Sequence, residues 1–178
     1  MPRKALTSVS PVDGRYSRHT EPLVEFFSEY ALFKYRVRIE IEYLIQLASE
    51  GLKGVEPLKE QEQNKLRSLY ENFTLQDAEQ IKTIERTTNH DVKAVEYFVK
   101  EQLEKLGRTD LLEFVHFGLT SQDINNTAVP LSIKEAQVKV MLPRVLLIQE
   151  KLRGLANEWK DIPMLARTHG QPASPTML

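Results

Sequence analysis

Arg86-Thr87-Thr88-Asn89-His90-Asp91-Val92-Lys93 is a polar octet that opens onto an apolar run in which Val92, Val95, Val99, Leu103 and Leu106 recur at spacings of three and four. That period marks an amphipathic helix with one buried stripe, so the octet is expected at a helix N-terminus. Thr88 and Asp91 stand three apart, as in a capping box with Asp in place of Glu. The first turn of such a helix has free backbone N–H groups and the positive end of the dipole, a corner suited to an anion. A histidine and an amide placed there can read a charged small molecule. On this stretch alone the plainer reading has the greater weight: a well-capped helix whose His90 hydrogen-bonds a neighbouring carbonyl.

Upstream of the octet the same period continues. Leu75 to about Glu85 reads as a helix with Ala78, Ile81 and Ile84 inward, and Thr74 with Asp77 resembles a second capping box. Pro57 to about Asn72 reads as another, with Leu58, Leu66, Leu69 and Phe73 inward. Ser28 is an N-cap for a long helix ending near Gly51. In that helix Phe33, Val37, Ile41, Leu44 and Ala48 form one stripe, and Leu32, Tyr35, Ile39, Tyr43 and Leu47 form another. Two stripes imply burial against more than one neighbour. Before it, Glu21-Pro22 suggests a short helical turn, and Ser8 to Tyr16 is rich in turn formers with no helical period. Asp13-Gly14 should turn the chain and set Arg15 beside Tyr16, a planar cation next to an aromatic hydroxyl. Such a pair suits a phosphate or carboxylate, although most surface arginines are simply solvated.

Downstream, Gly107 gives a stop and Thr109 or Asp110 a restart. The next helix, Leu111 to Leu119, is almost wholly apolar, which makes His116 a hydrogen-bonded core histidine rather than a ligand. Thr120-Ser121-Gln122-Asp123 then caps a very long helix reaching about Lys160, with Leu131, Ala136, Val138, Met141, Val145, Ile148, Leu152 and Leu155 in apolar positions. Pro130 and Pro143 inside it should each remove one ladder hydrogen bond and kink the helix. Helices that long belong to bundles, because alone they cannot cover their own stripe. Gly170 to Leu178 reads as a loop about to enter another helix, with Ser174 or Thr176 as its N-cap. A chain stopping where an element begins is expected to be a piece of a longer polypeptide.

With 178 residues, only 7 glycines and abundant Leu, Glu and Lys, the composition points to an all-α protein. The 24 basic and 25 acidic residues are interspersed, which leaves neither a nucleic-acid face nor a membrane address. Cysteine is absent, so disulfides and thiolate metal sites are excluded. No apolar run is long enough to span a bilayer, and Met1 to Thr7 lacks the apolar stretch of a signal peptide, so a cytoplasmic location is expected. The one boundary is drawn at Gly107, giving a helical domain over 1–107 and the start of a long-helix bundle domain over 108–178.

Three polar clusters interrupt the helical text: Thr88 to Asp91, Thr120 to Asn126, and Arg167-Thr168-His169-Gly170-Gln171. Each stands at or before an expected helix start, and each alone fits mere capping. Together they supply imidazoles, hydroxyls and amides with little negative charge, a set matched to an anionic, hydrogen-bond-rich substrate rather than to a hard metal. No metal-ligand His–Glu spacing, phosphate-cradling glycine loop or dinucleotide fingerprint occurs, and no cofactor is expected.

Gly118-Leu119-Thr120-Ser121-Gln122-Asp123-Ile124-Asn125-Asn126 and Arg167-Thr168-His169-Gly170-Gln171-Pro172-Ala173 resemble the first two signature regions of the fumarase/aspartase superfamily, whose members cleave C–N or C–O bonds and release fumarate. Ser10-Pro11-Val12-Asp13-Gly14-Arg15-Tyr16 and the stretch from Thr87 to Tyr97 are similar to its bacterial branch acting on succinylated purine nucleotides. The resemblance covers the whole chain, and implies that this length is the N-terminal domain plus the start of the bundle. It implies His169 as general acid in a β-elimination, and His90 as a second site histidine orienting substrate or its phosphate. It also implies Arg15, Tyr16, Asn89 and Asp91 at the nucleotide, and Thr120 and Ser121 at the succinyl carboxylate. The superfamily's third signature, a serine-containing loop that supplies the base, does not occur in these residues. A homotetramer with shared sites is implied, and isolated bundle faces would self-associate. Two alternatives remain at this point: another lyase of the superfamily, such as one acting on argininosuccinate, against which the Thr-Thr-Asn-His-Asp stretch argues, and a non-catalytic helical oligomerisation module.

Overall fold

The computed structural model describes residues 5–51 and 53–177. The part of the leader reading that rests on Met1 to Lys4, and that of the C-terminal reading on Leu178, lie outside them. Eight α-helices and one hairpin are described: α1 (Ser17–Thr20), α2 (Val24–Phe27), α3 (Glu29–Ser49), α4 (Glu60–Glu71), α5 (Leu75–Thr88), α6 (Asp91–Lys105), α7 (Ser121–Ala136), α8 (Leu142–Trp159), β1 (Pro163–Thr168) and β2 (Gln171–Met177). The all-α expectation holds, with the hairpin as its exception. The chain divides into two compact units, one ending at Ala136 and the other starting at Gln137.

In the first unit α3 is the hub, packed against α2, α4, α5, α6 and α7. Ser28 caps it as expected, its hydroxyl accepting the Ala31 amide at 3.1 Å. The first stripe, Phe33, Val37, Ile41, Leu44 and Ala48, is buried to 2% exposure or less. Of the second stripe Tyr35 is buried and the rest are half-buried, which gives the breadth of burial expected of a helix with several neighbours. At about 1.5–3 kcal/mol per large apolar side chain, the first stripe is the main local source of stability. Leu66 of α4, Ala78 and Ile81 of α5, and Val95, Phe98, Val99 and Leu103 of α6 close the core on it. Polar ties run outward from α3: Arg67 and Tyr70 hold Glu42, and Lys82 holds Glu29.

Several boundaries differ from the expectation. α4 starts at Glu60, so Leu58 is buried just ahead of the helix. The apolar stretch from Leu111 is a 3-10 helix over Thr109–Phe114 followed by turns, in which His116 and Gly118 take φ +62° and +71°. Leu111 and Val115 still reach the core, because so short a segment needs no α period to bury two side chains. α7 buries Ile124, Ala128, Ser132 and Ala136 at strict four-residue spacing.

In the second unit the backbone continues through a π turn at Gln137–Met141 into α8. Pro143 lacks an N–H and crowds the carbonyl four residues back, and a wider turn at this place accommodates both. The residues from Gly170 onward are not a helix entrance: Gln171–Met177 pairs antiparallel with Pro163–Thr168. Ser174 and Thr176 lie inside β2. His169 and Gly170 form the two-residue turn, both with positive φ (+47° and +77°), the conformation a tight right-twisting hairpin requires. Pro172 and Pro175 are tolerated because each strand of a two-stranded ribbon has a free edge.

Candidate functional site

The octet is organised around Asn89 and His90 rather than Thr88. Thr88 is the last residue of α5, and Asn89 ends that helix in the left-handed region at φ +52°. His90 is the N-cap of α6: its backbone is extended and its Nδ1 accepts the Lys93 amide at 3.2 Å. A capping box from Thr88 to Asp91 is therefore absent. His90 takes a backbone N–H instead of giving a proton to a carbonyl, which leaves Nε2 as the protonated nitrogen of the neutral ring.

The second cluster folds as expected. Thr120 donates its amide and hydroxyl to Asp123 Oδ2 at 2.7 and 2.8 Å, one half of a capping box, while the Asp123 amide donates to the Thr120 backbone carbonyl at 3.1 Å where α7 starts. These two bonds hold the Asp123 carboxyl below the usual carboxylate range. The Ser121 hydroxyl has no hydrogen-bond partner among the described residues, so it remains free to donate.

These two helix starts meet. Thr88, His90, Val92, Lys93, Glu96, His116, Thr120 and Ser121 line one cavity of about 480 Å³. It has the N-termini of α6 and α7, two imidazoles and a free hydroxyl on its wall, an arrangement suited to an anion. Its lysine is balanced: Lys93 and Lys100 grip the buried Glu96 at 2.8 and 3.0 Å. Burial pushes the Glu96 carboxyl up, and the two ammonium groups overcome this and hold it low.

Asn89 and Asp91 face a neighbouring cavity of about 370 Å³, which His90 also lines. Asp91 is engaged there by Arg36 of α3, its Oδ2 2.7 Å from the guanidinium. Arg36 also donates to the Asn125 side-chain oxygen at 3.0 Å, and so ties the start of α6 to the first turns of α7. Arg15 and Tyr16 sit together in a third cavity of about 420 Å³, beside Leu6, Ser8, Ser10 and Pro11. The Arg15 guanidinium is 5.5 Å from the centre of the Tyr16 ring, as the turn at Asp13-Gly14 led one to expect. His169 belongs to the second unit, exposed at the tip of the hairpin.

Arg36, Glu40 and the cavity role of His116 escaped the sequence reading. His116 is hydrogen-bonded as expected, to Glu40 at 2.6 Å, yet it also lines the cavity. The available signal was that Arg36 and Glu40 are charges four apart in a helix with apolar stripes on more than one side. Among the described residues no group of three or more His, Asp or Glu is placed to hold a metal ion, and no helix is long and apolar enough to cross a membrane.

The family model described as "Lyase" matches residues 14–178. The chain is 56% identical over 96% of its length to a Dictyostelium discoideum protein named adenylosuccinate lyase, of which it covers 38%. It is 49% identical to the Vibrio cholerae protein of that name and 44% identical to that of Escherichia coli K12, over its full length and 40% of theirs. The chain thus spans about two fifths of the curated relatives it matches.

Proposed function

Starting from the fact that the chain belongs to the lyase family of the fumarase/aspartase superfamily, we propose that the protein it comes from is an adenylosuccinate lyase. The observation that carries this reading is the meeting of His90, Thr120 and Ser121 at two helix N-termini in one cavity. The similarity to proteins of that name supports the choice of substrate. The reaction is the β-elimination of fumarate from adenylosuccinate to leave AMP, and from succinyl-aminoimidazole-carboxamide ribotide to leave the carboxamide ribotide, both in purine nucleotide biosynthesis.

In this reading a base removes the proton from the carbon beside one succinyl carboxylate, the C–N bond breaks, and an acid protonates the departing nitrogen. His169 is that acid, an imidazole being a side chain that can give a proton to a departing nitrogen. Thr120 and Ser121 hold the succinyl carboxylate, His90 orients the substrate, and Arg15 and Tyr16 take the nucleotide with Asn89 and Asp91 beside them. The base comes from the superfamily's serine-containing loop, outside these residues. The protein is cytoplasmic and forms a homotetramer whose sites are shared between subunits. The division at Gly107, where α6 is stopped by a residue at φ +73°, separates its N-terminal domain from its bundle domain.

Fumarate release followed by ultraviolet absorbance tests this. The full-length protein should act on adenylosuccinate and not on argininosuccinate, and the 178-residue chain alone should show no turnover. Activity on argininosuccinate alone, or turnover by this chain, would refute the corresponding part. His169→Asn, which suits a positive φ as well as histidine does, should abolish turnover in the full-length protein with its melting temperature unchanged.

A further inference from the structure

Glu40 is completely buried in the middle of α3, next along the helix to Ile41 and one turn from Val37 and Leu44, all of them fully buried. Its Oε1 lies 2.6 Å from His116 Nδ1, and its Oε2 has no hydrogen-bond partner among the described residues. A carboxylate is costly in such a place, and an apolar side chain of similar volume would suit this core at least as well. Burial holds the Glu40 carboxyl above its ordinary value, and the bond from His116 lessens that push without cancelling it. Around the pair stand Glu96 of α6, with its partners Lys93 and Lys100, and Arg36 one turn away on α3.

His116 is as unusual as its partner. It holds φ +62° in the turn between the 3-10 helix and α7, and with its side chain 16% exposed it is one of the residues lining the cavity shared by His90, Thr120 and Ser121. Which nitrogen of an imidazole has the proton is set by the bond the other nitrogen makes. The His90 Nδ1 accepts the Lys93 amide, which places that ring's proton on Nε2. A carboxylate at the Nδ1 of His116 does the reverse.

We propose that Glu40 is a positioning residue that holds His116 with its proton on Nδ1, so that the two cavity histidines present opposite characters at Nε2: a donor from His90 and an acceptor from His116. Such a pair discriminates. It accepts a ligand offering an acceptor and a donor in the right order, such as a carboxylate or phosphate oxygen next to a hydroxyl or amine. The consequence for turnover rests on the lyase reading above, whereas the tautomer does not.

Long-range proton–nitrogen correlation spectra of this chain at pH 8 read the tautomers directly, with His116 assigned by loss of its signals in His116→Gln. The expected pattern is a protonated Nδ1 and bare Nε2 for His116, and the opposite for His90. Glu40→Leu should shift His116 toward the other tautomer, and Glu40→Gln, which retains an oxygen at the same reach, should preserve the wild-type pattern. Should the leucine variant fail to fold, Glu40→Asp, one methylene short of reach, replaces it with the same expectation. A bare Nδ1 in the wild type, or an unmoved pattern in the shortened or apolar variant, overturns the proposal. In the full-length protein Glu40→Leu should lower kcat by about 10–100-fold, the range for partners that orient a functional imidazole, and should add nothing in a His116→Gln background. Equal losses in both backgrounds would show that Glu40 does not act through His116. Absence of lyase activity in the wild-type full-length protein would remove the reaction while leaving the tautomer result standing.

Discussion

Arg36 joins the two helix starts that define the main cavity, and its effect can be sized. The Arg36 side chain is 6% exposed, but that of Asp91 is 48% exposed, so the pair is only half withdrawn from water. Breaking a fully buried pair removes about 3–5 kcal/mol; solvent screening at Asp91 reduces this, and Arg36→Met should destabilise by about 1–3 kcal/mol in a urea titration at pH 7. Burial pushes the Asp91 carboxyl up, yet the Val92 amide and Arg36 together hold it below its ordinary value. A depressed carboxyl stabilises the fold above its unfolded pKa of ~3.9, and that contribution disappears as pH falls through the folded value. The penalty of Arg36→Met should therefore shrink between pH 5 and pH 2. A penalty that stays constant or grows over that window would show that Arg36 acts through packing rather than charge.

At the scale of elements, a cap is readable from sequence when the two side chains that make it are three apart and nothing else competes. Thr74 and Asp77 satisfy this, with the Thr74 amide on Asp77 Oδ2 at 2.8 Å and the Asp77 amide on the Thr74 hydroxyl at 3.2 Å. Thr74→Ala should lower stability by about 0.5–2 kcal/mol, visible as a fall of about 2–4 °C in melting temperature per kcal/mol. An unchanged melting temperature would mean that α5 is held by its core contacts alone. Thr88 and Asp91 have the same spacing and do not form the box, because Thr88 is still inside α5 when Asn89 turns the chain. A residue-type pattern cannot say which of two abutting helices owns a threonine. The hairpin is not legible in the sequence for a related reason. Its second strand has two prolines and no alternation, and only pairing with residues 163–168 makes it a strand.

At the scale of the molecule the two units differ in kind. The first has a continuous core built on α3, whereas α8 has no buried residue and its Val145, Leu146, Leu147, Ile148 and Leu152 are each about half exposed or more. An apolar face of that size drives association. In sedimentation velocity this chain should self-associate with rising concentration, and Ile148→Glu with Leu152→Glu should restore monomer while leaving the melting temperature of the first unit unaltered. A wild-type chain that stays monomeric at high micromolar concentration would refute this. Such a face is also what the proposed tetramer would cover.

The sequence by itself determined the helical class, the stripes of α3 and α6, the caps at Ser28 and Thr74, the helix start at Thr120, and the family to which the chain belongs. All of these depend on residues within a few positions of each other or on contiguous motifs, and local periodicity and capping chemistry act over that range. Tertiary structure alone decided that Arg36 reaches Asp91 and Asn125, that Glu40 reaches His116 across 76 positions, and that His90 and Ser121 share one cavity. Those pairings arise because the buried stripes dock the helices side by side. A charge four residues along a helix then finds its partner through space, which spacing along the chain does not record.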